Sequence, residues 1–536
     1  MSKKTGTAHF LSINNIYPYA LFGILFLAVI LDLIGLNKGL WNDEYFTIHK
    51  ISHPNIVEMF RELRRDVHPP LYYILLYFWG KISKKEEFLR LFSVCLSLGT
   101  LTIVISWIKQ YSPLASLLAG VYLATTPIML RYSQELKAYP LLVFATSLAF
   151  LFASHIIAKP EKFLGYIGLC LSLFVAVCTH LVGIMLIPSI VCFLYIQAFL
   201  PIKKIQYLKL AVAIIIPTIT FLYLKFFWLK QVQEIQDTWW WMPDINLDLI
   251  SSTAKYVFGL SSLYLPISII PYFAFLVSGI FALSVFFGEW KISFPFLAAT
   301  IIFWVVILVY SLIDSPIFYY RIILPSLVPF VAFVALQIAT IPTHKIKIAS
   351  IVCLIVLSLS YTANWVTHQA YKPVEENREV ARLVELEWQK NDLIIFYPDF
   401  IQGTVNYYFK KIPLDKQIVV LRTNKINEIN KNINTKISII FRQREIIDMF
   451  FVVMDGNIEG YNELLYNVLN VLKYKMIKKT RVHLFLIKGH DSYFSNKFES
   501  ADKFIVASES KLGKPYFYQD FGMYVSSKYM VVLNRS

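Results

Sequence analysis

Charge is what this sequence has least of. Only 16% of its 536 residues are Asp, Glu, Lys or Arg, where a soluble chain of this length carries roughly 25%. With 57% hydrophobic residues and a mean hydropathy of +0.56, the chain falls in the polytopic membrane class. Cysteine is scarce as well. Cys95, Cys170, Cys178, Cys192 and Cys353 all lie in or beside apolar runs, where a thiol acts as a small hydrophobe. None falls in the hydrophilic C-terminal region, so no disulfide is expected there. The P-loop, GxGxxG, GxSxG and HExxH patterns are missing too, which leaves ATP-driven transport, dinucleotide chemistry and serine or zinc hydrolysis without support. No internal repeat or low-complexity tract occurs. The formal net charge of +16 does not indicate a nucleic-acid partner, because no basic helix, zinc motif or RNP sequence accompanies it. It suits membrane lipids with anionic headgroups, and topology signals.

What is present is a series of apolar runs of spanning length, at about 17–36, 88–108, 113–130, 138–158, 163–180, 181–200, 207–228, 266–288, 293–313, 321–341 and 346–366. A span needs about 20 apolar residues, so the nearly continuous stretch 163–200 is split near His180. The short polar leader before the first run carries Lys3 and Lys4, and the run is long enough to be an uncleaved first helix. Residues 71–80 are too few to span and read as an interfacial or re-entrant helix. With a cytoplasmic N-terminus, the inner loops hold Lys109, Lys159, Lys162, Lys203, Lys204, Lys209, Lys291, Lys345 and Lys347, as the positive-inside rule requires. The first outer loop, 37–87, is basic as well and stands as the exception.

The expected architecture is an all-α polytopic membrane domain over 1–366, with about 11 transmembrane helices. A small extracytoplasmic α/β domain over 367–536 follows it. In that second part Glu375 to Gln389 has helical periodicity, as does Tyr461–Tyr474, and LIIFY, IVVL (418–421), ISIIF (437–441) and HLFLI (483–487) read as strands.

Polar residues that carry chemistry gather in the outer loops. Trp41-Asn42-Asp43-Glu44 follows the first span, and Asp66-Val67-His68-Pro69-Pro70-Leu71-Tyr72-Tyr73 lies later in the same loop. Carboxylates beside a membrane are costly and tend to be functional, although a solvated acidic loop is the plainer reading. Arg131-Tyr132-Ser133-Gln134-Glu135-Leu136-Lys137-Ala138-Tyr139 joins the third and fourth spans, and Phe318-Tyr319-Tyr320-Arg321 precedes Pro325 at the tenth.

The Asp-Glu pair together with HPPLYY resembles the lipid-sugar-dependent glycosyltransferases of GT-C architecture. The similarity is to the group of protein O-mannosyltransferases and lipid A aminoarabinose transferases. The Tyr-Ser-Gln-Glu element is similar to that group's Tyr-Ser-Gln-Glu-x-Arg-x-Tyr, with Lys137 in place of the Arg; Lys keeps the charge and loses bidentate phosphate recognition. Ile322 stands where relatives carry Tyr after the Arg. The resemblance implies an inverting enzyme taking a monosaccharide from a polyprenyl-phosphate donor to a lipid, protein or glycan acceptor at the outer face of the plasma membrane.

By that resemblance Asp43 is the catalytic base and Glu44 orients the acceptor or holds a cation. Asp66 and His68 shape the pocket, touch the acceptor or help bind a metal, and Arg321 pairs with the donor phosphate, with Arg131, Glu135, Lys137, Tyr139 and Tyr320 in the substrate-binding set. Two carboxylates and a His are compatible with a divalent cation, yet no ligand spacing is diagnostic. Each residue also has a plainer reading: Asp43 as cap of a helix starting at Tyr45, Arg131 and Glu135 as an interfacial ion pair, Arg321 as an anchor reaching the interface, Trp239-Trp240-Trp241 as part of an aromatic belt. Two other classes compete. A secondary transporter or flippase would show inverted repeats and mid-membrane charge, for which Asp32 is the nearest candidate. A membrane scaffold with an exported binding domain would leave the loop motifs without a purpose.

Overall fold

The structure is a computed structural model. It describes residues 13–64, 66, 68–199, 205–238, 242–243, 245–259, 287–371, 377–389, 392–397 and 401–414, with the strand segments 417–419, 448–455, 481–488, 515–520 and 529–533. The chain divides into two compact units, one of Met1–Asn37 and Lys50–Lys372, the other of Lys38–His49 and Pro373–Ser536.

The first unit is a multi-pass membrane body. Among the described residues eight helices are long and apolar enough to cross a membrane, and a ninth span arises if Pro113–Thr125 and Pro127–Ser133 count as one bent pair. Every apolar run of the sequence falls on a helix except 266–288, of which residues 266–286 lie outside the described residues. Phe163–Thr179 is a shorter apolar helix, and Leu71–Trp79 is a nine-residue helix, in keeping with the interfacial reading. Large apolar side chains such as Phe22, Phe26, Leu171, Phe226 and Ile313 are exposed, as a lipid-facing surface requires.

Inside, packing has to do what burial from water does elsewhere, because lipid is as apolar as Leu. Trp107 and Phe193 each lie on Phe150 and Phe296, with ring centroids 5.0–5.8 Å apart. Small hydroxyls satisfy what is polar: Trp107 Nε1 donates to Ser154 Oγ at 2.7 Å, and Ser189 Oγ to the Ala299 carbonyl at 2.7 Å.

The bend that matters most is at Thr126. Proline disfavours helical backbone in the residue before it, and Thr126 sits ahead of Pro127 with φ −60° and ψ 124°. The axis turns by 62° there. The turn carries Arg131 through Lys137 into the protein rather than out to an aqueous loop: Gln134, Glu135 and Lys137 are all buried.

The second unit is an α/β domain. Its six-stranded sheet runs β2-β1-β3-β4-β6-β5, with β1 Leu393–Tyr397, β2 Gln417–Val419, β3 Asp448–Asp455, β4 Arg481–Lys488, β5 Pro515–Asp520 and β6 Tyr529–Leu533. Strands β2, β1, β3 and β4 are parallel, while β6 pairs antiparallel with both β4 and β5. Val380, Ala381 and Val384 from the helix Asn377–Glu387, and Ile401 and Val405 from Ile401–Tyr408, close over Ile394 and Phe396. The expected strands LIIFY and HLFLI fall on β1 and β4, and the described part of IVVL, residues 418–419, falls on β2. The expected strand 437–441 and helix Tyr461–Tyr474 lie outside the described residues.

Candidate active site

Two prolines build the first part of the site. Pro69 and Pro70 have fixed φ and no N–H to offer, and the helix Leu71–Trp79 begins immediately after them. Tyr73, on its first turn, donates its hydroxyl to Asp66 Oδ2 at 3.2 Å. Lys50 Nζ pairs with the same oxygen and sits 5.0 Å over the Tyr73 ring. His68 Nδ1 lies 3.0 Å from Asp66 Oδ1. Burial alone would raise the Asp66 carboxyl, but His68 and Lys50 beside it hold it well below the usual carboxylate range. Asp66 is therefore an anion, His68 donates through Nδ1, and in neutral His68 the acceptor is Nε2. Protein donors engage both Asp66 oxygens, so this carboxylate does not fit a metal-ligand role as arranged. Elsewhere in the unit His53 Nε2 pairs with Glu62, a set of donors that a divalent cation can take.

A second imidazole, which sequence reasoning used only as a break point, faces the first. His180 lies 5.5 Å from His68 and 5.9 Å from Tyr139, centroid to centroid. Its Nδ1 accepts the backbone N–H of Val182 at 3.2 Å. A nitrogen that accepts carries no proton, so His180 presents Nε2–H as a donor. In their neutral forms the two imidazoles thus have opposite tautomers. His180 is also within electrostatic reach of Arg321 and Lys137, two cations that the sequence places nearly two hundred residues apart.

Arg131 and its neighbours complete the cluster. Arg131 Nη1 donates to the Tyr256 hydroxyl at 3.0 Å, and its guanidinium stands 5.9 Å from the rings of Tyr132 and Tyr320. Arg131 Nε is 3.8 Å from Glu135 Oε2, a looser approach than the roughly 2.7–2.9 Å of a charge-assisted hydrogen bond. Tyr139 packs on Tyr132 at 5.1 Å. Tyr320 is wholly buried between Tyr319 and Tyr256, which suits it to support Arg131. Arg321 is 7% exposed, with its guanidinium 5.6 Å from the Tyr319 ring.

The Tyr-Ser-Gln-Glu element divides its labour. Ser133 Oγ donates to Asp32 Oδ1 at 2.7 Å, and Gln134 Nε2 donates to the carbonyls of Asp32 and Ile34 at 2.9 and 2.7 Å. The two Gln134 bonds satisfy carbonyls at the end of the first span that helix geometry leaves unpaired. Arg90 Nη1 adds a bond to the Leu36 carbonyl at 2.6 Å, and Trp365 Nε1 one to Leu31 at 3.0 Å. Gly35 is needed here: its φ is +82°, and a Cβ would stand 1.9 Å from the Ala370 carbonyl oxygen. Asp32 is thus part of this anchoring and not an isolated charge.

Asp43 and Glu44 belong to the second unit. The helix Asn42–Ile51 starts ahead of them and both lie in its first turn, where the helix dipole favours negative charge. Tyr45 N–H donates to the Trp41 carbonyl at 3.0 Å, so Asp43 is inside the helix and the capping role does not fall to it. Glu44 is buried and Asp43 half-buried.

No family model matches the chain, and no curated protein does. Among solved structures the chain is similar, first, to ArnT from Cupriavidus metallidurans. The apo form is 12% identical with a TM-score of 0.46, covering 96% of this chain and 97% of that one. The form bound to undecaprenyl phosphate is 11% identical with a TM-score of 0.48, covering 96% and 98%. It is similar, second, to the Archaeoglobus fulgidus oligosaccharyltransferase in complex with Zn and sulfate, at 11% identity and a TM-score of 0.43, covering 94% and 72%.

Proposed function

We propose that the protein is an integral-membrane inverting glycosyltransferase that moves a monosaccharide from a polyprenyl-phosphate donor to an acceptor hydroxyl or phosphate. The observation that carries this reading is the gathering of Arg131, Lys137, Arg321 and the His180 donor in the interior of the membrane unit. Several cations and a donor held together in a sheltered place suit an anionic ligand, and a greasy tail suits the apolar body around them. The charge of a departing phosphate is stabilised by donors already in position, and the membrane body offers lipid-like surroundings for the tail.

In this reading a hydroxyl of the acceptor attacks the anomeric carbon and its proton passes to Asp43. The new C–O bond forms as the bond from that carbon to the phosphate oxygen breaks, and the polyprenyl phosphate leaves with the electron pair. Glu44 orients the acceptor. Asp66 fixes the tautomer of His68, which leaves His68 Nε2 to accept a hydrogen bond from substrate. The reaction takes place at the outer face of the plasma membrane, a face supported by the basic inner loops.

Asp32, the nearest candidate charge for the competing transporter reading, lies at the end of the first helix and accepts from Ser133 in anchoring it. The test is incubation of the purified protein in detergent with a panel of radiolabelled undecaprenyl-phosphate monosaccharides. Release of undecaprenyl phosphate from one of them, dependent on Arg321, is the expected result. Binding of all with turnover of none, and transport in proteoliposomes instead, would sink the proposal.

A further inference from the structure

The α/β domain holds the stretch that carries Asp43 and Glu44 at points on both sides of the pair. Leu40 is gripped through both of its backbone groups: its N–H donates to the Tyr408 hydroxyl at 2.8 Å, and its carbonyl accepts from Asn377 Nδ2 at 3.2 Å. One residue before Asp43, Asn42 Oδ1 accepts from Thr404 Oγ1. Two residues after it, the Tyr45 ring lies on Gly403, where a Cβ would meet its Cε1 at 2.5 Å and its Cζ and hydroxyl at 2.8 Å. Tyr45 also packs edge-on to Tyr407 at 6.2 Å. Further back, Arg378 Nη2 donates to the Lys38 carbonyl at 3.3 Å while its guanidinium rests 5.3 Å over the Tyr408 ring. Leu40, Asn42, Asn377 and Thr404 are all buried.

A helix as short as Asn42–Ile51 is marginal by itself in water, so its placement has to come from tertiary contacts. A general base has to lie within hydrogen-bond reach of the proton it takes. We propose that the C-terminal domain is a clamp for the Asp43–Glu44 turn, with Thr404, Gly403 and Tyr408 as positioning residues for the transfer. This rests on the reading of Asp43 as base. It assigns the domain a part in turnover and none in binding the lipid phosphate.

The test uses the full chain in detergent and four measurements: turnover with the undecaprenyl-phosphate monosaccharide that the wild type consumes, affinity for undecaprenyl phosphate, the thermal melt, and amide exchange of residues 40–48. A misplacement near 1 Å costs up to about a hundredfold in rate. Gly403→Ala, which pushes on Tyr45, is expected to lower turnover about ten- to a hundredfold and to speed exchange of 40–48. Phosphate affinity and the melt stay as they were. In a Tyr45→Ala background the atoms that the new Cβ would press on are gone, so the added loss should vanish. Thr404→Val should lower turnover and Thr404→Ser restore it. Wild-type turnover in both Gly403→Ala and Thr404→Val would overturn the proposal. So would an equal Gly403→Ala loss with and without Tyr45, or a loss that only follows the melt. Activity in Asp43→Asn would instead remove the base reading, and would leave the exchange result standing as a separate finding.

Discussion

Replacing Arg321 by alanine should weaken binding of the donor phosphate while leaving the fold in place. The side chain is 7% exposed and packs on Tyr319 at 5.6 Å, within electrostatic reach of His180. Losing a charge-assisted contact in so sheltered a place costs about 2–5 kcal/mol. At 1.4 kcal/mol per tenfold, the dissociation constant for undecaprenyl phosphate should rise by at least about thirtyfold. Arg321→Lys keeps the charge and loses the planar fork, so it should fall between alanine and wild type. The assay is equilibrium binding of undecaprenyl phosphate to purified protein in detergent, repeated at low and high salt with a melt of each variant. A buried contact should change little with salt. Unchanged affinity in Arg321→Ala would refute the phosphate role and return this residue to membrane anchoring.

Asp43→Asn keeps size but cannot accept a proton, so turnover at saturating donor should drop by about 10²–10⁴-fold with donor binding intact; near-normal turnover would pass the role to Glu44 or Glu135. Gln134→Ala leaves the buried carbonyls of Asp32 and Ile34 without their donor. It should lower stability by about 1–3 kcal/mol, read as a lower melt, whereas Gln134 acting on substrate would leave the melt alone. Asp66→Asn removes the anion that Lys50 and His68 share. The folded-state pKa of Asp66 is depressed, so its contribution is full above the unfolded value of about 3.9 and is lost as pH falls below it. The melts of Asp66→Asn and wild type should therefore differ at pH 7 and converge as the pH drops below about 4. A gap that widens in acid would contradict the assignment.

The membrane body was legible because its cause is local. Spanning length, apolar composition and the basic inner loops are properties of neighbouring residues, and the short helix Leu71–Trp79 could be told from a span by counting. The run 113–130 reads as one span, and the 62° turn inside it at Pro127 comes only with the structure. Candidate residues were legible as types. Many of their partners were not, because those partners are distant in sequence and neither periodicity nor spacing encodes them. Gln134 reaches a carbonyl 102 residues away, and this separates it from Arg131 and Glu135, though all three stand in one motif. His180 reads as a break in an apolar run until His68 is seen across from it. Asn42 meets Thr404 over 362 residues, so only the folded chain shows the Asp-Glu pair in the grip of the C-terminal domain. Composition and local pattern mark which segments are long and apolar enough to enter the lipid. Which polar group meets a ligand and which caps a carbonyl is decided by long-range packing, where most buried donors find an acceptor.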